Sequence, residues 1–480
     1  SPSWFGTGND TTVHTVGNCA KLGTFVSAAR SSGLPVIPTV FDSTGAGVMA
    51  SIVKNAGQRA SHVQHLVDLV THGGVGTCQG AAFDGIDLDY EQFAFPDGRA
   101  SWSATQPAWI AFVTQLADAL HAKGKVLSVT VPPTWNNPVT QAVSGYWVYD
   151  LPHLAPLVDR VRLMVYDWSV GQPGPIAPLS WVDQVITYTK LVAGVPAARV
   201  QLGIPAYGRH WVVQKNPNEV CPEQATHRES ITMPRTAALA ADAHRTPTRD
   251  ASGELTFAWD QIVTGPRTTP PTLPDPTGTL GGIGDVGSNT GLQPALRLGT
   301  SVTCTVHHTV YVPDATNIAQ KANRAAAANL SGVVMWALGY ETSDIYPALA
   351  GVAPQRLSGS SVLTVDPVVT TAAVGATPST ATVTGVAYLT QFDLPVPVTV
   401  TVTDTGTSTV VASTTLTARA ARPDLATPVI DAIGSIHGFT ATFTGLAAGN
   451  YRACAAATSW GGAAFGASPA CTSFVIAPAG

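Results

Sequence analysis

Asp84-Gly85-Ile86-Asp87-Leu88-Asp89-Tyr90-Glu91 places four carboxylates within eight residues, inside the otherwise apolar stretch from Phe83 to Phe95. Asp87, Asp89 and Glu91 alternate with Ile86, Leu88 and Tyr90. On a strand, that period sends the three acids to one face and the apolar side chains to the other. Like charges on one face repel, so folding gains nothing from them. Their crowding raises at least one pKa, which a general acid at neutral pH requires. A solvated edge strand does not explain the pattern, because Ile86, Leu88 and Tyr90 demand burial opposite. Asp-x-Asp-x-Glu also suits calcium, but the roughly 12-residue EF-hand loop with its glycine at the turn is missing. Catalysis is the expected role.

Outward from this segment, strand-like runs alternate with helical ones up to about residue 350. Strands are expected at 35–41, 83–89, 126–131, 161–166, 200–205 and 333–338, with Ser3 to Phe5 as the end of a seventh. Helical spacing marks Ala60 to Leu69, Trp109 to Leu120, Trp181 to Val192 and Asn317 to Ala328. This repetition predicts an α/β fold, a (β/α)8 TIM barrel over residues 1–354. The strand count implies that its first strand-helix unit is lacking, and a start at Ser1 rather than Met fits a processed or truncated chain. Residues 214–330 form a long insertion, rich in Pro, Thr and Gly at its middle. From about 355 to 480 helical periodicity stops and short alternating strands predict an all-β sandwich, immunoglobulin-like or fibronectin-like. Such a module reads as a spacer or stabiliser; Trp460 and Tyr388 are thin support for glycan binding.

The 480 residues are 45% hydrophobic and 11% charged, with a net charge of −5. That balance argues against a nucleic-acid partner, which needs clustered Lys and Arg. No apolar run reaches the roughly 18 residues of a membrane span. Six cysteines lack metal-ligand spacing. Cys454 with Cys471, Cys221 with Cys304, and Cys19 with Cys78 are candidate disulfides, the alternative being buried thiols. Disulfides favour a secreted or cell-wall-associated protein.

Barrel catalytic residues sit at the C-terminal ends of strands. Asp89 and Glu91 end one strand, Tyr166, Asp167 and Trp168 another, and Trp336 the last. Tyr207, Arg209, His210 and Trp211 follow the Leu-Gly-Ile-Pro strand. Carboxylates, phenols and indoles on one rim suit sugar rings. His210, His307 and His308 lack a third ligand at plausible spacing, so they read as loop residues and neither metal nor cofactor is expected.

The acidic segment resembles the Asp-x-x-Asp-x-Asp-x-Glu signature of glycoside hydrolase family 18. Met164-Val165-Tyr166-Asp167 is similar to the Met-x-Tyr-Asp motif of that family. Leu202 to Arg209 and Trp336 also fall where members carry equivalents, and the resemblance covers about residues 1–350. It implies a retaining glycosidase in which the substrate's 2-acetamido oxygen replaces the protein nucleophile. Glu91 would be general acid and then base, Asp89 would orient the acetamido group, and Asp87 would support Asp89. Tyr166 would hydrogen-bond the acetamido oxygen and Trp336 would floor the subsite. Asp167, Tyr207, Met164, Trp168 and Trp211 would complete substrate binding. The implied partner is a glycan containing N-acetylglucosamine, bound by a monomer.

Leu127 to Pro133, Pro173 to Pro178 with Trp181, and Tyr207 to Trp211 resemble the cell-wall-lytic and spore-cortex-lytic N-acetylglucosaminidase branch, whereas Arg209 resembles the chitinase pattern. Peptidoglycan is the favoured substrate. Chitin, N-glycan cores and an inactive glycan-binding protein are the alternatives.

Overall fold

The computed structural model describes residues 4–267, 300–352, 360–390, 393–425, 434–459, 465 and 468–479. In chain order the first strands are β1 (Phe5–Thr7), β2 (Val13–Thr15), β3 (Thr39–Phe41), β4 (Gly85–Asp89) and β5 (Val126–Val131). A short hairpin, β6 (Thr134–Asn136) and β7 (Val143–Gly145), precedes β8 (Arg160–Leu163) and β9 (Val200–Pro205). Then come β10 (Tyr207–Gln214), β11 (His227–Thr232), β12 (Thr248–Arg249), β13 (Leu255–Arg267), β14 (Thr300–Val312) and β15 (Gly332–Trp336).

The main sheet runs β15-β9-β8-β5-β4-β3-β1-β2. Every neighbouring pair is parallel except β1 with β2, which form a hairpin. Seven parallel strands thus follow the barrel layout. The eighth, β2, is antiparallel, and no pairing joins β15 to the β1–β2 end among the described residues.

The period of two in β4 works as its sequence demands. Ile86, Leu88 and Tyr90 are fully buried under the helices, while Asp87, 1% exposed, faces the barrel interior. Helix Ala56–His72 supplies Val63, Leu66, Val67 and Val70 to that outer layer. The Asn55 side chain caps its first turn by accepting from Gln58 N, and Gly73 ends it with a left-handed φ of 62°. Helix Trp102–His121 adds Trp109, Phe112, Val113, Leu116 and Leu120 at helical spacing. Asp84, before β4, accepts from Val36 N at 2.7 Å. Gly85 has no substitute, since a Cβ would stand 2.2 Å from Val126 O on β5.

The excursion between β9 and β15 is an antiparallel sheet, β11-β10-β14-β13-β12. It starts at Tyr207, earlier than the expected 214, and its last strand ends at Val312. Helix Ala315–Ala327 packs back on β9 and β15, as a barrel helix does. His210 on β10 and His307 and His308 on β14 are strand residues, which corrects their reading as loop. Most of the Pro-, Thr- and Gly-rich middle lies outside the described residues.

The C-terminal part holds β16 (Ser361–Val365), β17 (Val369–Thr371), β18 (Thr380–Leu389), β19 (Pro397–Asp404), β20 (Thr409–Thr417), β21 (Gly438–Thr444), β22 (Gly449–Ala457) and β23 (Ala470–Ile476). They form two antiparallel four-stranded sheets around a core that includes Val398, Val400, Phe439, Ala453 and Phe474. That core also takes in Val126 and meets Ile37, both at the N-terminal ends of barrel strands. Arg160, opening β8, pairs with Asp393 with both side chains buried. Arg419 pairs with Asp159 and donates to Lys125 O at 3.2 Å. The sandwich therefore seats on the barrel end opposite the C-terminal strand ends. Tyr388 is buried, and Trp460 lies outside the described residues.

Three disulfides join Cys19 to Cys78, Cys221 to Cys304 and Cys454 to Cys471. Cys454 and Cys471 are direct cross-strand partners on β22 and β23.

Candidate active site

A cavity of about 600 Å³ opens at the C-terminal ends of β4, β5, β8 and β9. That is within the usual size range of small-ligand sites. Asp89, Glu91, Met164, Tyr166, Asp167, Trp168, Tyr207 and Trp336 all line it.

β4 delivers the acids, and Tyr90 locks the turn that follows. His62 Nε2 lies 2.7 Å from the Tyr90 hydroxyl, while His62 Nδ1 lies 2.7 Å from the Thr11 carbonyl. With Nδ1–H donating to Thr11, Nε2 accepts the tyrosine proton. Burial holds this imidazole down at about 4, so it stays neutral. Tyr149 donates its hydroxyl to Tyr90 O at 2.7 Å. Both residues flanking Tyr90 thereby point into the cavity by alternation.

Asp89 and Glu91 both line the cavity, close enough for each to act on the other's ionisation. Burial pushes the Glu91 carboxyl up to about 7, with Asp89 opposing the rise and Asp167 and Asp42 adding repulsion. Burial also drives Asp89 well above the carboxylate range, helped by Glu91 and Asp87. The pair retains a proton near neutrality. Behind it, Asp87 Oδ2 accepts from Thr39 Oγ1 at 3.1 Å and Thr130 Oγ1 at 2.8 Å, and meets Arg162 Nη1 at 3.2 Å.

β8 and β9 build the facing wall. Asp167 takes a left-handed φ of 60°, which turns it off the end of the β8 segment. Its Oδ1 accepts from the Tyr207 hydroxyl at 2.5 Å and from Arg209 Nη2 at 2.7 Å. Gly203 leaves room for Tyr166, whose ring would sit 3.1 Å from a Cβ there. Burial, then the neighbouring carboxylates, keeps the Tyr166 phenol protonated. Trp336 is 39% exposed at the rim.

Trp211 does not join this set. It is 1% exposed, packs with Ile176 and Tyr207, and donates its indole N–H to Val170 O at 2.9 Å. It is a wall support rather than a substrate platform.

Several lining residues were not singled out as site residues from sequence. Trp135 on β6 and Trp181 stand with Trp168 in an aromatic group, ring centroids 5.0–5.7 Å apart. Tyr146 and Phe95 close the other side. Asp42, directly after β3, does not line the cavity but acts on Glu91 by its charge; it is buried and accepts from Thr7 and Thr44. Its position after a predicted strand end was the available signal.

The loop carrying this aromatic wall is held from the insertion. Glu254 accepts from Ile176 N at 2.7 Å and Ala177 N at 2.8 Å, and pairs with buried Lys321 at 3.2 Å.

A family model described as glycosyl hydrolases family 18 matches residues 11–341. Glycosylase YdhD of Bacillus subtilis (strain 168), whose name provisionally makes it sporulation-specific, is 28% identical over 192 residues, covering 38% of this chain and 40% of that protein. The chain thus spans two-fifths of that relative's length. Two solved structures share the fold. A chitinase from Chromobacterium violaceum ATCC 12472 superposes with a TM-score of 0.52 at 23% identity, covering 72% of this chain and 88% of its own. The spore cortex-lytic enzyme SleL of Bacillus megaterium QM B1551 gives 0.51 at 17% identity, covering 72% and 65%.

Proposed function

The chain belongs to family 18 of the glycosyl hydrolases, and from that premise we propose that it hydrolyses β-1,4 bonds in glycans containing N-acetylglucosamine, with peptidoglycan favoured. One observation carries the reading. Glu91 lines an aromatic cavity, where burial pushes its carboxyl up to about 7. Such a group protonates the glycosidic oxygen and then, as carboxylate, takes the proton of the incoming water.

Neither of the other two carboxyls lining the cavity is a free nucleophile: burial holds Asp89 towards its protonated form, and Asp167 is engaged by Tyr207 and Arg209. This supports a mechanism without the second carboxylate nucleophile of most retaining hydrolases. The acetamido oxygen of the substrate attacks the anomeric carbon as the bond to the leaving oxygen breaks and the Glu91 proton moves onto it. Water then opens the oxazolinium ion. Asp89 orients the acetamido N–H, and Asp87, held by Arg162 and two threonines, sets the position of Asp89. Tyr166 donates to the acetamido oxygen. Trp336 stacks under the reacting ring, and Asp167, Met164, Trp168 and Tyr207 complete the grip.

The resemblance of Leu127 to Pro133, whose Pro132 and Pro133 line the cavity, to the cell-wall-lytic branch supports peptidoglycan, and likeness to a glycosylase named for sporulation is in keeping with it. Arg209 on Asp167 favours chitin as the second reading. Three disulfides support a secreted or cell-wall-associated enzyme. The sandwich, seated away from the cavity, supports a stabilising rather than substrate-binding module.

Release of reducing ends from purified peptidoglycan and from chitin, beside a Glu91→Gln control, tests the reading. Activity on at least one polymer that the control lacks is expected, with mass spectrometry identifying the sugar at the new reducing end. Equal release by wild type and control sinks the assignment of Glu91.

A further inference from the structure

The insertion sheet carries a second cluster of ligand-type side chains, remote in character from the acid site. Pairing of β10 with β11 sets His210 opposite Glu229 and Val212 opposite His227. On the other side of β10, β14 sets His308 opposite Val212. Residues directly paired, or two apart along a strand, share a face. Three imidazoles and one carboxylate from three strands therefore converge.

The geometry is tight. One ligand atom from each of His210, His227 and Glu229 lies within 4.8 Å of the others. His210 Nδ1 stands 3.0 Å from Glu229 Oε1, and His210 Nε2 stands 2.8 Å from His308 Nδ1. Trp259 stacks on His308 at 4.2 Å and on His210 at 5.5 Å between centroids, which fixes both ring planes. His308 Nε2 is buried with no hydrogen-bond partner among the described residues, so the network is not self-satisfied.

We propose that His210 Nδ1, His227 and Glu229 bind one divalent transition metal of the zinc class, with His308 accepting the Nε2–H of His210. Two imidazoles and a carboxylate are a borderline donor set that suits zinc, leaving the fourth tetrahedral position to water. The contact from His210 Nε2 to His308 fixes the tautomer that turns the Nδ1 lone pair towards Glu229, as an outer partner does for a metal-bound histidine. His210 lies between Arg209 and Trp211, which face the other way towards Asp167 and Val170. The metal clamps β10 to β11 and braces the strand that holds this cavity wall. The sequence alone hides the site, because His227 and Glu229 reach His210 through register rather than spacing.

Calorimetric titration of the chelator-stripped full chain with zinc sulfate tests the proposal. His227 and Glu229 are exposed, so His227→Ala and Glu229→Ala are compatible with folding, which thermal melts without zinc verify. Binding of one zinc per chain is expected, weakened by roughly tenfold or more in either variant. His307→Ala, on the opposite face and paired with Asp260, is expected to bind as the wild type does. No binding by the wild type, or undiminished binding by both variants, overturns the site.

Discussion

Asp89 and Glu91 both line the cavity, two residues apart on either side of a fully buried tyrosine, and burial holds both carboxyls towards their protonated forms. The pair keeps a proton because burial penalises both charges, and Glu91 is held up at about 7. A general acid works only while protonated, so kcat/KM on a defined oligosaccharide falls on an alkaline limb centred near 7. Glu91→Gln lowers kcat by about 10²- to 10⁴-fold and removes that limb. A flat profile through this range in the wild type contradicts the assignment.

The same carboxyl costs stability where it must ionise. Its value rises from an ordinary 4.5 to about 7 on folding, so the folded state binds the extra proton between these values. The contribution is present in full below 4.5 and is lost as pH rises through about 7. Glu91→Gln is therefore more stable than wild type above neutrality, by on the order of 1–3 kcal/mol, and the gap closes in acid. Urea unfolding at several pH values measures it.

Asp167 depends on two donors from one strand, the Tyr207 hydroxyl and the Arg209 guanidinium. Tyr207→Phe removes one neutral donor, a loss of about 0.5–1.5 kcal/mol. Because Asp167 is assigned to binding, KM rises by roughly two- to tenfold while kcat changes less. Steady-state kinetics on chitooligosaccharides give the split; a fall confined to kcat moves Asp167 into the chemistry.

The lining residues on or just past barrel strands could be named from sequence, and those on the hairpin and turn after β5 could not. Alternation in β4 told which acids share a face; Trp336 ends β15, while β8 stops at Leu163 rather than the expected 166 and Tyr166 follows it by three residues, at the end where a barrel puts its chemistry. Trp135 and Tyr146 come from the hairpin and turn after β5, whose course is set by packing against Trp168, Trp181 and Phe95 rather than by local pattern. Trp211 misled for the opposite reason. It shares a face with Tyr207 and Arg209 by period, but the loop carbonyl of Val170 and the ring of Tyr311 cover it. Asp42 looked like an ordinary residue after a strand, and only its burial near Glu91 gives it electrostatic weight.

Glu254 and Lys321 are both fully buried, and Glu254 also holds two backbone amides of the aromatic wall. Glu254→Ala strands the Lys321 charge and frees those amides, so a loss of about 3–5 kcal/mol is expected. The double variant Glu254→Leu with Lys321→Met recovers much of that loss but not the tie to Ile176 and Ala177. Denaturation midpoints separate the two effects. Recovery of stability without recovery of KM assigns Glu254 to wall placement.

Arg160 and Asp393 join the barrel to the sandwich at the end of the sheet opposite Glu91, with side chains 8% and 5% exposed. Arg160→Ala leaves Asp393 buried and uncompensated, which costs about 3–5 kcal/mol. Because the pair lies at the N-terminal end of β8 and the cavity at the C-terminal end, kcat/KM at 25 °C or below stays near the wild-type value. Thermal inactivation, by contrast, begins at lower temperature, and limited proteolysis cuts between the two parts. Loss of activity in proportion to loss of stability, measured on the still-folded protein, contradicts this separation and couples the sandwich to the acid pair.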